Sequence, residues 1–437
     1  MGYIVGHPIK KPADFYGRYN QVLRFYEIIG GTQAQSLSIL GLRRAGKTSF
    51  LQYVAHQEVM ARYLTDPENY TMIYIDVSSC KTPSEFYRRL LNRLKVALGN
   101  NGPVTLWKES PPEQTNMYDV ESYLCQFSNK RIILLLDEFD QLRIDTFNQD
   151  FLTELRAMTS VLDYDLACVT ASYWDLYFLG NQIGLPPTSP FYNIFYPSPI
   201  YLSGLEASEF EMLIRAPVNG TGINFTDKDI EEISILAGTL PFFLQATAAQ
   251  WFRRKRAGQA INANQILRQL AADLSPYFDQ WWRYLDDVQR ELLYALAHEN
   301  FMMEQLPYGS VEFSEAIRTL QNYGLLQAGD DRLVVNGRIF NAWIRQYAQV
   351  QLEAMANGNG QNGNGTVPEP RLLRQVLTHH FNVEELRNLC FDLGVDYEEL
   401  QGSEKGSKAR ELVLFWQNRR DLMTLVSAIR EERGPIV

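Results

Sequence analysis

Cysteine and histidine are scarce in this sequence. Its 437 residues include four cysteines, none of them in a Cys-x-x-Cys pair, and five histidines. This spacing excludes a disulfide framework and the common structural zinc sites, and it is typical of a reducing compartment. The sequence also lacks a signal peptide at its start and any apolar run long enough to span a bilayer. We therefore expect a cytoplasmic protein that does not contact a membrane.

A basic excess is also absent. The chain has 41 lysines and arginines against 51 aspartates and glutamates, so its net charge is −10 and its pI is about 5.2. This balance excludes a general nucleic-acid coat but allows one local basic face. The strongest basic cluster is Arg253-Arg254-Lys255-Arg256. It ends a predicted helix, where the cations either complement the helix dipole or contact nucleic acid.

The sequence does contain a loop that fits the G-x-x-x-x-G-K-[ST] pattern of a phosphate-binding P-loop. The loop consists of Gly41, Leu42, Arg43, Arg44, Ala45, Gly46, Lys47 and Thr48, and Ser49 follows it. A predicted apolar strand precedes the loop and a predicted helix follows it. Backbone N–H groups and the helix dipole form an anion site there, so all nine residues are candidate nucleotide contacts. We expect Lys47 to reach the β- and γ-phosphates and the Thr48 hydroxyl to hold Mg²⁺.

A second motif is an apolar run that ends in acids. Residues 131–136 are followed by Asp137, Glu138 and, after Phe139, Asp140. A continuous apolar run of this length predicts a buried parallel strand, and ligands bind at the carboxyl ends of such strands. This pattern is a Walker B strand. We expect Asp137 to hold Mg²⁺ through water and Glu138 to act as the general base on the attacking water.

Three further segments complete a predicted parallel sheet of five strands. They are residues 71–77, 165–172 and 200–202. With the helices between them they predict a doubly wound, three-layer domain over roughly residues 15–204. The polar end of the 165–172 strand carries Thr170 and Ser172. Either hydroxyl is a candidate γ-phosphate sensor, or simply a cap or turn hydroxyl.

From residue 207 onward the pattern is helical. Helices are predicted at 207–215, 227–237 and 240–256, and residues 284–350 suggest a winged helix whose wing turns at Gly329-Asp330-Asp331. A winged helix invites a DNA-binding interpretation, but the predicted reading helix carries Glu312 and Glu315 with only Arg318. A helix meant for phosphate contacts should be basic. We therefore expect no DNA contact here.

The last part of the chain is set apart by composition. Residues 351–366 include a run of asparagine, glycine and glutamine that is typical of a flexible linker. Residues 367–437 are predicted to be all-helical, with a capping box formed by Asn382 and Glu385 and a helix stop at Gly394. Helices at 407–418 and 421–431 follow. The pattern shows no nucleophile–base pair in this tail.

Together these motifs resemble the signal-transduction ATPases with numerous domains, a group of AAA+-like P-loop NTPases. The residues that carry the resemblance are Phe15-Tyr16-Gly17-Arg18, the P-loop through Ser49, Leu136-Asp137-Glu138-Phe139-Asp140, Ser189-Pro190-Phe191-Tyr192-Asn193 and Gly238-Thr239-Leu240-Pro241. The tail resembles the effector-associated, death-like adaptor domains of such systems through residues 386–397 and 408–413. Two positions depart from the pattern: Thr239 replaces a frequent glycine, and Arg44 stands where ring-forming AAA+ proteins usually have glycine.

The resemblance implies an α/β fold with five parts. These are a P-loop NTPase core (1–204), a helical lid (205–283), a winged helix (284–350), a flexible linker (351–366) and an all-α effector-associated, death-like helical bundle (367–437). It also implies that Arg18, Ser172 and Pro241 lie next to the nucleotide. Arg156 is the candidate arginine finger, which would act on the site of a neighbouring subunit.

The resemblance implies a switch as the function. ATP or ADP with Mg²⁺ would be held between the core, the lid and the winged helix and hydrolysed slowly. A trigger would open the protein, which would form a homo-oligomer and recruit an effector protein, such as a protease or another toxin, through residues 367–437. Prokaryotic antiviral defence or regulated cell death is the implied setting.

Two other functions remain open. A DNA-bound AAA+ ATPase of the origin-recognition or transposition type shares the core, the lid and the winged helix. A plain NTPase whose tail is only a dimerisation module is the other. The acidic wing and the separate helical tail favour the switch.

Overall fold

The structure is a computed structural model of the chain. It describes residues 2–99, 115–143, 145–196, 198–298, 310–328, 333–346, 373–374, 376–378, 381–402, 405–419 and 422–433. The predicted wing turn at residues 329–331 and the predicted linker at 351–366 lie outside the described residues. The chain divides into two compact units, Met1–Ala348 and Gln349–Val437.

The first unit contains a sheet of five parallel strands, as the sequence pattern predicted. The strands are β1 (Leu37–Leu40), β2 (Tyr70–Asp76), β3 (Arg131–Asp137), β4 (Asp165–Ser172) and β5 (Ile200–Tyr201), in the order β2-β3-β4-β1-β5. Strand β4 pairs with both β1 and β3, in parallel. One strand therefore separates the P-loop, which follows β1, from the acidic end of β3.

Helices cover both faces of the sheet. They are α1 (Tyr19–Ile29), α2 (Lys47–Val54), α3 (Gln57–Tyr63), α4 (Pro83–Leu98), α5 (Met117–Leu124), α6 (Gln149–Met158) and α7 (Leu176–Ile183). Alternate residues of β3 enter two separate hydrophobic cores: Ile133 and Leu135 join one, and Ile132 and Leu134 join the other. This alternation is the period-2 geometry of a strand buried on both sides, and it gives the three-layer α/β core.

The second half of the first unit is mostly helical. Its helices are α8 (Ala207–Arg215), α9 (Asp227–Ala237), α10 (Pro241–Arg256), α11 (Ala263–Asp273), α12 (Ser275–Tyr284), α13 (Asp287–Ala297) and α14 (Ser310–Asn322). Two short strands, β6 (Leu326–Ala328) and β7 (Leu333–Val335), pair antiparallel. Two residues of the predicted basic cluster make contacts within the first unit: Lys255 Nζ lies 2.6 Å from the Asp229 carboxylate, and Arg254 donates to Gln265 at 3.0 Å.

The second unit is a small helical bundle with its own core. Its helices include α15 (Val383–Asp392), α16 (Lys405–Asn418) and α17 (Leu422–Arg433). The capping box predicted at the start of α15 is confirmed, since Asn382 N donates to Glu385 at 2.8 Å and Glu385 N donates to Asn382 at 2.9 Å. Gly394 follows α15 with a φ of 67°, which only glycine adopts readily, and so ends the helix as expected.

Two observations bear on what the fold can do. Among the described residues, no helix is both long and apolar enough to cross a bilayer. Nor do those residues group three or more histidine, cysteine or carboxylate side chains in the manner of a metal centre.

Candidate functional site

The P-loop runs from β1 into α2 in a conformation that depends on its glycines. Gly46 precedes the first residue of α2 with a φ of 95°, where a side chain would strain the backbone. A Cβ atom on Gly41 would lie 3.2–3.3 Å from Ala45 and Leu202, so that position leaves little room for a side chain. The sequence pattern G-x-x-x-x-G is thus explained by packing at one glycine and by φ at the other.

Lys47 is a buried cation beneath this loop. Only 8% of the residue is exposed, and its Nζ donates to the carbonyls of Gly41 at 2.9 Å and Leu42 at 3.2 Å. Burial lowers the pKa of its ammonium group, and the nearby carboxylates of Asp140 and Glu138 oppose that shift. Lys47 is therefore placed where it could bind the phosphate oxygens of a nucleotide in the loop.

Asp137 ends β3 with its carboxylate fixed by two hydrogen bonds. The residue is 1% exposed, and its Oδ2 accepts from the Tyr74 hydroxyl at 2.8 Å while its Oδ1 accepts from Glu138 N at 3.0 Å. Tyr74 lies on β2, which pairs with β3 in parallel. The phenol therefore orients the carboxylate from the adjacent strand.

Glu138 lies at the end of β3 in a left-handed backbone conformation, with a φ of 51°. A non-glycine residue in this region costs about 1–3 kcal/mol and is common at functional sites. Burial raises the pKa of its carboxyl group, and the Lys47 ammonium group lowers it. Glu138 lines the cavity described next, and its role as the general base stays a prediction.

A cavity of about 320 Å³ lies over the P-loop. Its wall includes P-loop residues 43–49, Glu138, Arg18, Pro241 and Phe242, together with residues of the segment from Ile4 to Ile9. The structure thus brings together most of the site residues predicted from the sequence. Five predicted site residues are not among those that line it: Gly41, Leu42, Asp137, Arg156 and Ser172.

Arg18 joins the P-loop to the strand beside it. The residue is 3% exposed, and its guanidinium donates to the carbonyls of Ala45 and Gly204, at 3.3 Å each, and to that of Ser203. Burial lowers its pKa to about 10. These bonds hold the loop against the chain that leaves β5, and Arg18 is also part of the cavity wall.

Ser172, the candidate sensor at the end of β4, uses its hydroxyl within the turn that follows the strand. Its hydroxyl donates to the Trp174 carbonyl at 2.7 Å, and the Thr170 hydroxyl donates to Ser38 at 3.3 Å. Both residues are fully buried. The alternative of a turn hydroxyl describes the bond that Ser172 makes, and its sensor function stays a prediction. Arg156 lies on α6, half-buried, and its action on a neighbouring subunit also stays a prediction.

Several cavity residues were missed by sequence reasoning. The segment from Ile4 to Ile9 carries no motif, yet it lies against the P-loop, where Ile9 N donates to Ser49 Oγ at 3.3 Å. Phe242 and Gln245 project from α10 into the same cavity wall. Only Pro8 and Pro12, which favour an extended lead-in, hinted at the course of the first segment.

The donor set that Thr48 and Asp137 offer fits Mg²⁺, and of these two residues only Thr48 lines the cavity. The Thr48 hydroxyl and the Asp137 carboxylate are oxygen ligands of the kind that Mg²⁺ prefers, alongside water and phosphate. The Asp137 carboxylate uses two of its lone pairs on Tyr74 and Glu138 N, which leaves acceptor capacity for a metal-bound water.

Two family matches agree with these two units. Residues 31–169 match the family described as AAA domain, and residues 373–434 match effector-associated domain 7. The first segment contains the P-loop and the acidic end of β3, and the second covers α15 to α17. No curated protein matches the chain.

Solved structures share the fold at low sequence identity. The Walker-type ATPase of Pyrococcus abyssi is 14% identical with a TM-score of 0.54, over 78% of this chain and 99% of that one. The Aeropyrum pernix ORC1 protein in complex with DNA is 14% identical with a TM-score of 0.40, over 78% of this chain and 95% of that one. The Aeropyrum pernix ORC2 protein is 12% identical with a TM-score of 0.44, over 80% and 97%. The first likeness supports a P-loop ATPase fold.

Proposed function

We propose that this chain is an ATP-dependent signalling switch. Its core binds ATP or ADP with Mg²⁺ and hydrolyses ATP slowly, and its helical tail recruits an effector protein. The observation that carries this proposal is the single cavity in which the P-loop, Lys47, Glu138, Arg18 and Pro241 meet. Residues 31–169, which include the P-loop, Lys47 and Glu138, match the AAA domain, and this match supports nucleotide hydrolysis.

The chain's own residues divide the work of hydrolysis. Lys47 and the loop N–H groups hold the phosphates, and Thr48 and Asp137 would hold the metal, which when bound would neutralise charge on the transferred phosphoryl group. Glu138 accepts a proton from the attacking water. Because its carboxyl group is buried and has a raised pKa, it is a stronger base than an exposed glutamate.

The helices after the core give the switch its moving part. We assign residues 205–283 as the lid and 284–350 as a winged helix. Pro241 and Phe242 at the start of α10 line the cavity, and Trp281 Nε1 on α12 donates to the Arg43 carbonyl at 3.2 Å. These contacts connect the lid directly to the P-loop, so a nucleotide in the loop is able to bias the lid.

The charges on α14 favour a switch over a DNA-reading protein. Glu312, Glu315 and Arg318 are its exposed charged residues, so its outer face is acidic. A helix that binds phosphates releases counterions through lysine and arginine, and α14 offers one such residue. We therefore assign the elements from α13 to β7 to packing on the core and lid.

The tail is suited to recruitment. It has its own core, which includes Leu386, Leu389 and Leu412, and it matches an effector-associated domain. We propose that a trigger causes the cores to form a homo-oligomer, which raises the local concentration of the tails and of any effector bound to them. The effector would be a protease or another toxin, in antiviral defence or regulated cell death.

ATP binding is the first property to test. We expect saturating ATP with Mg²⁺ to raise the melting temperature, and at a hundredfold excess over Kd the free energy of unfolding rises by about 2.7 kcal/mol. Lys47→Ala should abolish this shift, because it removes the buried cation. Lys130→Ala is the control, since Lys130 precedes β3 at the other end of the strand. The proposal would be refuted if saturating ATP with Mg²⁺ does not change the wild-type melting temperature.

Tail deletion tests recruitment separately. Removing residues 367–437 should leave the ATP-induced thermal shift unchanged, because the tail belongs to a separate compact unit, and should abolish growth arrest in cells that overproduce the active protein. Leu389→Asp places a charge in the tail core and should act like the deletion. Growth arrest that survives deletion would place recruitment elsewhere in the chain.

A further inference from the structure

Arg44 connects the P-loop to three other parts of the first unit, two of which also line the cavity. Its Nη1 donates to the Gly6 carbonyl at 2.6 Å and its Nη2 to the Tyr277 hydroxyl at 3.4 Å. The guanidinium carbon lies 5.4 Å from the ring centroid of Phe242 and 5.2 Å from that of Tyr277. One side chain thus contacts the N-terminal segment, α10 and α12.

The rings of Phe242 and Tyr277 together form a binding site for this guanidinium. Phe242 and Tyr277 contact each other edge to face, with centroids 5.0 Å apart. A guanidinium near the face of two aromatic rings gains cation–π attraction from each, and its planar shape allows hydrogen bonds at its edge at the same time. An ammonium group lacks that flat, forked geometry.

The backbone of Arg44 bears a cost that only its side chain explains. Its φ is 72°, a left-handed conformation that costs a non-glycine residue and that glycine adopts freely. If the loop conformation were the only requirement, glycine would satisfy it better. The arginine must therefore contribute through its contacts.

We propose that Arg44 is a positioning residue that clasps residues 3–9 and the lid helices α10 and α12 onto the P-loop, and thereby slows nucleotide release. This inference rests on the proposed function, since it assigns the regulation of the same site. The segment it holds is anchored at both ends: the Tyr3 hydroxyl donates to the Ile214 carbonyl, and Ile9 N donates to Ser49 Oγ. Between those two anchors, Arg44 donates to the Gly6 carbonyl of this segment.

The test compares dissociation rates of a fluorescent ADP, mant-ADP, from full-length variants. Arg44→Gly removes the side chain and suits the observed φ, so the loop keeps its conformation. We expect mant-ADP to dissociate from this variant about tenfold faster, the combined effect of losing two cation–π contacts and two hydrogen bonds. Arg44→Lys keeps the charge but loses the planar contacts, and it should also release mant-ADP several times faster than the wild type.

Arg24→Ala is the matched control. Arg24 also lies over an aromatic ring, at 5.7 Å from Tyr196, and donates to a backbone carbonyl at 2.7 Å, but it does not line the cavity. The rate at which mant-ADP dissociates from Arg24→Ala should equal the wild-type rate. A wild-type rate in Arg44→Gly would overturn the proposal. So would a wild-type rate in Arg44→Lys, because Arg44 would then act only by its charge.

Hydrogen exchange without nucleotide separates this inference from the proposed function. In Arg44→Gly the amide of Ile9, which donates to Ser49 Oγ, should exchange faster than in the wild type, because the clasp on the Gly6 carbonyl is gone. Unchanged exchange would refute the clasp even if the protein binds nucleotide. If the wild type does not bind mant-ADP at all, the proposed function fails, and the exchange result still decides whether the clasp exists.

Discussion

Glu138→Gln is expected to lower ATP turnover at least about a hundredfold while ATP binding is retained. Glutamine has the shape of glutamate and fits the same cavity wall, but it cannot accept the proton of the attacking water. Neither Lys47 nor Thr48 is altered, so the phosphates keep their contacts. Steady-state ATPase rates and the ATP-induced rise in melting temperature, measured on the same preparation, give the two readouts.

The pH profile identifies Glu138 more closely. Its base form is the ionised carboxylate, and burial raises the pKa of that group above the ordinary glutamate value. The wild-type rate should therefore fall as the pH drops through this raised pKa, at a higher pH than an exposed glutamate would give. The residual rate of Glu138→Gln should not show this fall at low pH.

Asp140 provides the comparison. Its carboxylate is also close enough to raise the pKa of Lys47, yet it is not among the residues lining the cavity over the P-loop. Asp140→Asn should keep more of the wild-type rate than Glu138→Gln does. The opposite order would transfer the role of general base to Asp140.

The parts of the fold that were predictable are those encoded locally. The P-loop, the strand β3 and the helices α8 and α9 follow from spacing, apolar runs and caps within a few residues, and their predicted bounds are close to the observed ones. The capping box at Asn382 is of the same kind. Each such signal depends on neighbours in sequence, so tertiary context had little opportunity to override it.

The parts that were not predictable depend on residues far apart in sequence. Tyr74 orients Asp137 from 63 positions away, and Arg44 meets Tyr277 across 233 positions. In the tail, Lys408 is 7% exposed and donates to three backbone carbonyls. No spacing of residues in the sequence predicts these bonds. Ser172 shows the converse, because its position at a strand end was readable but the direction of its hydroxyl was decided by the turn after it.

Four glycines meet where the core, α9–α10 and the β6–β7 hairpin come together. They are Gly204, Gly238, Gly324 and Gly337. Asn336 ties this glycine junction together: its Oδ1 accepts from Thr239 N at 3.0 Å, and its Nδ2 donates to Thr239 Oγ1 at 2.9 Å and to the Gly324 carbonyl at 2.7 Å. A Cβ atom on Gly238 would lie 2.3 Å from Asn336 Oδ1, so a side chain at position 238 would clash with the Asn336 amide.

Gly337→Ala should be among the most destabilising single changes in the first unit. Its φ is 92°, and a Cβ atom there would lie 2.7 Å from backbone atoms of Ala237 and Gly238. Backbone atoms cannot turn aside as a side chain does. We expect the free energy of unfolding to fall by about 3 kcal/mol, from the backbone conformation together with the forced separation of α9 from the hairpin.

Gly220→Ala isolates the two contributions. Gly220 has a φ of 76°, but a Cβ atom on it would meet nothing within 4 Å, so this variant bears the conformational cost alone, about 1 kcal/mol. Urea unfolding followed by tryptophan fluorescence measures both variants. Equal losses would mean that the junction opens at no cost and that the hairpin is held elsewhere. A larger loss in Gly337→Ala means that the close approach of backbone to backbone at the glycine junction is what joins the hairpin to the end of α9.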